Sequence, residues 1–93
     1  MKMHTLKILE AYVQRIIHRQ KTFEVRKNDR DFQVGDTIQF RIINELGEEV
    51  EVHYQMPLYL INYVLPGGQF GIVSGYCVMS IQPLEGGHNE PGR

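Results

Sequence analysis

The apolar residues of this chain change their spacing at Lys21–Thr22, and that change limits the fold more than any other feature. Up to that point they follow the period of an amphipathic helix over about residues 9–19, with Leu9, Tyr12, Val13, Ile16 and Ile17 in register. The next segment alternates as a strand does, so its side chains fall on two faces: Phe23 and Val25 on one, Thr22, Glu24 and Arg26 on the other. A helix followed by strands indicates an α+β domain.

Short strand patterns occupy most of the remaining chain. One precedes the helix at His4–Ile8, and later ones lie near residues 37–43, 50–56, 58–65 and 76–82. Residues 44–48 are predicted to connect the 37–43 and 50–56 strands as a hairpin. One helix with five or six short strands predicts a curled sheet or small β-barrel with the N-terminal helix packed on it.

The chain has 93 residues, which is too few for two independent cores. We therefore expect one domain over residues 1–84, followed by a glycine-rich, disordered tail at 85–93. The single cysteine, Cys77, excludes an intrachain disulfide and is expected to be a buried, inert thiol in an apolar strand. Without a signal-peptide pattern or a run of about 20 apolar residues, a cytoplasmic protein that does not cross a membrane is expected.

Charge is unevenly distributed along the chain, although its net charge is only −1. Residues 1–30 carry eight Lys or Arg against three carboxylates, giving +5, and the remainder sums to −6. A basic segment attracts phosphate groups locally even in a near-neutral protein. A solvated helix face followed by charged strand edges explains the same distribution without a ligand.

The segment KILEAYVQRIIHRQKTFEVRKNDRDFQVGDTIQFR carries a resemblance to a known family. Lys21, Glu24 and Arg26 match the spacing of a Gly-x-Lys-x-x-Glu-x-Arg signature, and Val34-Gly35-Asp36 follows. In these residues the chain resembles the ASCH domain, a relative of the PUA fold that is associated with RNA. Over residues 4–84 it is similar to a small, uncharacterised bacterial and phage branch, which implies a PUA-like β-barrel. One position departs: Arg19 stands where the family has glycine, so a helix-to-strand turn of different shape is expected.

The signature residues also suit a ligand site on physical grounds. Glu24 and Arg26 project from the same face of a strand, about 6.6 Å apart, and Lys21 at the strand entrance can reach over a cleft beside the helix. Cations there would hold phosphate or ribose, and the carboxylate would read a base edge. The predicted binding residues are Lys21, Glu24, Arg26, Lys27 and Arg30. The alternative is an ion pair of Glu24 with Lys21 or Arg26 that closes the barrel mouth.

These features predict a module that binds nucleic acid or a nucleotide, with RNA as its expected partner and no cofactor, metal or membrane. Two other functions are open. Some ASCH relatives are amidohydrolases of acetylcytidine with a Lys-x-x-Thr signature, and the resemblance then implies catalytic roles for Lys21 and Glu24. However, Glu24 stands where that hydroxyl is needed, and Thr22 has the wrong spacing. The third function is a protein-interaction module whose basic helix end docks an acidic partner.

Several weaker features complete the sequence pattern. The four histidines are scattered without metal-ligand spacing, which argues against a metal site. The glycines of residues 67–75 either allow a ligand to approach the backbone or shape a tight connection. Candidates for a base-stacking surface, with Phe70 the one expected to be exposed, are Tyr54, Tyr59, Tyr63, Phe70 and Tyr76.

Overall fold

The computed structural model describes residues 1–52 and 56–84. Its elements in chain order are β1 (Met3–Leu9), α1 (Glu10–Ile17), β2 (Phe23–Lys27), β3 (Thr37–Ile43), β4 (Tyr59–Pro66) and β5 (Tyr76–Pro83). These elements confirm the predicted α+β class, and the tail predicted at 85–93 lies outside the described residues. Within the described ranges, no helix has the length and apolar character needed to cross a membrane.

The five strands form one curled, half-barrel sheet in the order β1-β3-β4-β5-β2. β1 lies parallel to β3, with Leu6 beside Phe40, whereas the other neighbouring pairs are antiparallel. The predicted curled sheet is therefore confirmed. This order makes β1 and β2 the two edges, although only α1 and a short turn separate them in sequence. The helix thus connects one edge of the sheet to the other.

The core consists of alternate residues from the strands together with one face of α1. Val13 and Ile16 of the helix are buried, three residues apart on the same side. The buried apolar strand residues are Leu6, Ile8, Ile38, Phe40, Ile42, Tyr59, Ile61, Cys77, Met79 and Ile81. Burying each large aliphatic side chain contributes about 1.5–3 kcal/mol, which holds the helix against the sheet.

The helix ends at Ile17, two residues before its predicted end, in a hydrogen-bonded turn. The Gln20 amide donates to the Arg15 carbonyl oxygen at 2.8 Å, and the Arg19 amide donates to that of Ile16 at 3.1 Å. These two bonds define a Schellman motif, which requires a left-handed residue just past the helix. Arg19 supplies it with a φ of 64°. Arg19 therefore adopts the backbone conformation that glycine favours, although it is not a glycine.

The prediction of a return strand over residues 50–56 is wrong for the residues of that range that the structure describes. The chain makes one isolated bridge, between Ile43 and Glu49, and no strand follows it in the described residues 50–52 and 56. The valines of this segment pack against the core instead. Two backbone hydrogen bonds flank the bridge, from Asn44 N–H to the Glu48 carbonyl oxygen and from Val50 N–H to that of Ile42, both at 2.9 Å, and apolar packing holds the described residues beyond them.

β2 has the predicted alternation, with an unusual polarity. Glu24 is buried, whereas Phe23 and Val25 on the opposite face are exposed. In a half-buried strand the apolar face normally turns toward the core. Here the inward face carries the charged side chains of the signature, and they border an opening in the molecule.

Candidate functional site

A cleft of about 810 Å³ opens between α1 and the edge strands β1 and β2. This volume lies within the range of about 300–1,000 Å³ that is typical of small-molecule sites. The cleft contains four of the five predicted site residues, and Arg30 lies outside it. The lining residues are Lys7, Ile8, Leu9, Tyr12, Arg15, Gln20, Lys21, Phe23, Glu24, Val25, Arg26, Lys27 and Tyr76.

Glu24 lies between two cations, and both of its carboxylate oxygens accept hydrogen bonds. Lys21 Nζ donates to Oε1 at 2.8 Å, and Arg26 Nε donates to Oε2 at 2.9 Å. Charge-assisted bonds of this length are among the stronger ones in proteins. The Glu24 side chain is only 7% exposed. It therefore fixes the positions of Lys21 and Arg26, so the ion pairs considered as an alternative form part of the cleft itself.

The Lys21 ammonium is also held by its other neighbours. It donates to the Phe23 carbonyl oxygen at 2.8 Å. It lies 5.4 Å from the centroid of the Tyr12 ring and 5.0 Å from that of Phe23. Both distances are within the range of cation–π attraction, about 0.5–1 kcal/mol at partly exposed sites. The ammonium is therefore positioned, and one of its three N–H donors remains for a ligand.

Arginine side chains bridge the gap between the two sheet edges. Arg26 donates from Nη2 to the Lys7 carbonyl oxygen, and Arg30 donates from Nη1 to that of Thr5 at 2.9 Å. Because β1 pairs with β3 on one side only, its alternate carbonyl groups face the gap and need other donors. The guanidinium groups provide them. Arg30, which does not line the cleft, therefore contributes to the structure by its hydrogen bond to the Thr5 carbonyl oxygen.

Cations outnumber carboxylates in the cleft lining. Five cationic side chains surround Glu24: Lys7, Arg15, Lys21, Arg26 and Lys27. Within residues 1–52 and 56–84, neither Arg15 nor Lys27 takes part in an ion pair. A concave site lined by one sign of charge concentrates ligands of the opposite sign. The electrostatics therefore favour an anionic ligand.

Comparison with known families adds one result. A family model for a domain of unknown function, DUF3850, matches residues 3–81. The chain belongs to the DUF3850 family. No curated protein matches it. The matched residues include every residue of the cleft lining, so the cleft is part of the DUF3850 domain itself.

The DUF3850 cleft also presents three exposed aromatic side chains, Tyr12, Phe23 and Tyr76. Of the predicted stacking candidates that the structure describes, Tyr76 alone lines it. Tyr59 is buried, Tyr63 and Phe70 are exposed elsewhere, and Tyr54 lies outside the described residues. Phe70 is exposed as predicted, at a φ of 52° in the glycine-rich loop.

Sequence patterns do not single out several lining residues. Tyr12 belongs to the apolar stripe of α1, where an aromatic side chain indicates core packing. For Tyr12 and Arg15 the sequence does carry a local signal that they belong to one site, because residues three apart on a helix are neighbours. Lys7 has no such signal, since it reaches the cleft only through the order of strands in the sheet.

The described lining of the cleft offers lysine, tyrosine and glutamate side chains as its reactive groups. In the described part of the chain, no Ser, Thr, Cys or His lines it. Thr22 is exposed and lies outside the lining, while its carbonyl oxygen accepts from the Ile81 amide at 3.0 Å. Amide hydrolysis needs a nucleophile or an activated water, and Glu24 already binds two cations.

A buried polar pair lies outside the cleft. His4 Nε2 is 2.9 Å from Asp36 Oδ2, and Asp36 also accepts from the backbone amides of Lys2 and Gln33. Burial alone would raise the pKa of Asp36, but these hydrogen bonds together hold that pKa below its ordinary value of 3.8. The pair ties β1 to the turn before β3. In the described ranges, no group of three or more His, Cys, Asp or Glu is placed to hold a metal ion.

Cys77 is fully buried, as predicted. Burial raises the pKa of its thiol, which disfavours the reactive thiolate.

Proposed function

We propose that this domain binds single-stranded RNA or a nucleotide in the cleft between α1, β1 and β2. One observation carries the proposal: five cations and three exposed aromatic rings surround a single opening that contains one buried carboxylate. Proteins that bind single strands combine cations for the phosphates with aromatic rings on which the bases stack. The expected binding is therefore tolerant of sequence and sensitive to salt.

We further propose that the domain is an ASCH relative with a PUA-like barrel. Its curled five-stranded sheet and single helix are compatible with such a barrel. The signature residues Lys21, Glu24 and Arg26 form one bonded group. Arg19, at the position of the family's glycine, has the φ that glycine favours.

The cations of the cleft have two roles in this proposal. Arg15 and Lys27 contact phosphate directly, because neither is engaged in an ion pair in the described ranges. Lys21 and Arg26, oriented by Glu24, use their remaining N–H donors on ribose or phosphate. Glu24 can read a base edge only through an acceptor position that these two cations leave open.

Fluorescence anisotropy with a labelled single-stranded RNA hexamer of mixed sequence tests the proposal. If three to five phosphates are neutralised, affinity should fall roughly 20- to 100-fold between about 50 and about 200 mM salt. Lys27→Ala and Arg15→Ala should each weaken binding and reduce the slope of log affinity against log salt by about 0.7. Lys21→Ala and Arg26→Ala should also weaken it.

Lys2→Ala is the matched control. Lys2 belongs to the same basic segment, its side chain is exposed, and it does not line the cleft. It should therefore bind RNA almost as wild type does. Equal losses in Lys2→Ala and Lys27→Ala would show that binding follows net charge alone. Wild-type affinity no higher than that of an unrelated protein of the same charge would refute the proposal.

A further inference from the structure

A β-bulge in β4 turns the side chain of Tyr63 outward. Tyr59 and Ile61 are buried, so strict alternation along the strand would bury Tyr63 as well. The pairing with β5 shifts its register between Ile61 and Tyr63, which makes Asn62 the extra residue. Tyr63 is consequently 59% exposed, on the face of the sheet opposite to Ile61. Bulges often re-aim a side chain beside a functional site.

Tyr63 shares its face of the sheet with residues that line the cleft. Ser80 of β5 pairs with Tyr63 on one side and with Phe23 of β2 on the other. Directly paired residues of antiparallel strands lie on one face, so these three residues form a row across the sheet. Farther along β2, Lys27 pairs with Tyr76 on the same face. Because Phe23, Lys27 and Tyr76 also line the cleft, this outward face is continuous with it.

The length of the row suits a single strand of RNA. Neighbouring strands of a sheet lie about 4.8 Å apart, so the backbones at Phe23 and Tyr63 are about 10 Å apart. Nucleotides stacked as in a duplex advance about 3.4 Å each along one strand, so about three steps cover the row, and an extended strand needs fewer. A strand with its phosphates in the cleft can therefore place a base on the Tyr63 ring.

Polar side chains beside Tyr63 offer hydrogen bonds to a stacked base. Ser80 Oγ donates to Asn62 Oδ1 at 2.6 Å, and Asn62 Nδ2 donates to Gln82 Oε1 at 2.9 Å. These bonds orient the Gln82 amide and leave both N–H groups of its Nε2 without an acceptor among the described residues. Every base carries carbonyl oxygens or ring nitrogens that accept hydrogen bonds, so Gln82 can bond a base without selecting one.

The charges of this face also admit a polyanion. Residues 59–83, which form β4, β5 and their loop, contain no Asp or Glu. The outward side chains of β2 are Phe23, Val25 and Lys27. The strands thus present one cation and no carboxylate on this face, so no like charge opposes a phosphate there. In sheets that bind single strands, aromatic rings likewise stack the bases.

We propose that Tyr63 is a second stacking position for the RNA strand held in the cleft, an inference that rests on the proposed function. The strand leaves the cleft across Phe23 at the edge of the sheet, passes over Ser80 and stacks one base on the Tyr63 ring. This footprint is longer than one nucleotide. The ligand is therefore a single strand of about four or more nucleotides, whereas a free nucleotide occupies the cleft alone.

Anisotropy titrations with the labelled RNA hexamer test the inference. Tyr63→Ala should weaken binding roughly 5- to 150-fold, which is the effect of removing one base–aromatic stack. Tyr63→Phe keeps the ring and should bind within about two-fold of wild type. Neither change removes a cation, so neither should alter the slope of log affinity against log salt. Phe70→Ala is the matched control, because Phe70 is an aromatic residue with even greater exposure, 82%, in the loop between β4 and β5. It should bind like wild type.

Photochemical crosslinking of wild type to a hexamer of iodinated uridines tests the same contact without a substitution. Mass spectrometry should find a crosslink on Tyr63. Crosslinks confined to residues of the cleft lining would overturn the inference. A Tyr63→Ala variant that binds as tightly as wild type would also overturn it, as would equal losses in Tyr63→Ala and Phe70→Ala. Circular dichroism spectra identical to wild type establish that each variant is folded.

The two proposals fail in different ways. A wild type that binds the hexamer no better than the charge-matched protein refutes RNA binding, and the Tyr63 position with it. If Lys27→Ala weakens binding while Tyr63→Ala does not, the cleft remains the binding site and only the second stacking position is refuted.

Discussion

Arg30 Nη1 lies 2.9 Å from the Thr5 carbonyl oxygen, across the gap between the two edges of the sheet. Together with the contact of Arg26 with Lys7, it joins the β2 side of the molecule to β1. A complete barrel closes such a gap with a ladder of backbone hydrogen bonds. Here the side chains of Arg26 and Arg30 close the gap instead.

Arg30→Ala should lower the free energy of unfolding by about 1 kcal/mol, because the Thr5 carbonyl group then has only water as a donor. Urea denaturation at unchanged m-value measures the loss. Lys2→Ala removes an exposed cation that makes no contact in the gap, so it should change stability by less than about 0.5 kcal/mol. Equal effects of the two variants would contradict this role for Arg30.

A double-mutant cycle tests the position of Glu24 between its cations. Glu24→Ala and Lys21→Ala should each cost about 1–3 kcal/mol of unfolding free energy, and the double variant should show a coupling of at least about 0.5 kcal/mol. The control is the same cycle with Lys27→Ala in place of Lys21→Ala. Lys27 does not contact Glu24, so the two losses of unfolding free energy should add. Identical coupling in both cycles would mean that the bonds of Glu24 with Lys21 are not specific.

Replacement of Arg19 tests the left-handed turn after α1. Arg19→Gly should be more stable than Arg19→Ala by about 1 kcal/mol. The left-handed conformation at this position is unfavourable for alanine but not for glycine. For a domain of this size that difference raises Tm by roughly 4–8 °C. Both variants lose the same Arg19 side-chain contacts, so their comparison isolates the backbone. Equal Tm values would argue against a Schellman turn.

Local spacing in the sequence predicts the elements of this fold but not their neighbours. The 3.6-residue period of α1 and the alternation of β5 involve residues close in the chain, so both elements can be predicted. The pairing of β1 with β3, and of β2 with β5, depends on residues far apart. For that reason Lys7 and Tyr76 could not be assigned to the same cleft as Lys21.

The polarity of β2 shows a second limit of sequence patterns. Alternation assigns Phe23 and Val25 to one face and Glu24 to the other, but it does not determine which face is inward. Hydrophobicity alone would bury Phe23 and Val25. Glu24 is buried instead because both of its oxygens receive charged donors. Such compensation depends on tertiary contacts.

Acid should weaken the fold partly through Asp36. Because its folded-state pKa lies below the ordinary 3.8, the unfolded chain binds more protons between these two values. Its contribution to stability is therefore complete above about pH 5 and is lost as pH falls through the folded-state pKa. Asp36→Asn should reduce stability at pH 6, and its difference from wild type should shrink as the pH falls below about 3.8. Urea midpoints measured across this range test the prediction, and a constant difference would contradict it.

The hydrolase alternative has a direct test. Without a Ser, Thr, Cys or His in the described lining, the cleft should release no cytidine or acetate from acetylcytidine above the background rate. Chromatography of long incubations measures both products. A heat-unfolded sample provides the background. Turnover that Lys21→Ala abolishes would make the amidohydrolase the leading function.

The order of the strands also determines when the domain can form during translation. Both edge strands are made early, yet the partner of β1 is β3 and that of β2 is β5. While the ribosome is still synthesising the middle of the chain, α1 is the element that can form from local contacts alone. Every residue of β2 pairs with a residue of the last strand, as Phe23 does with Ser80, so β2 cannot pair until β5 has been synthesised. Emergence of residues 76–83 is therefore the step that commits the nascent chain to its fold.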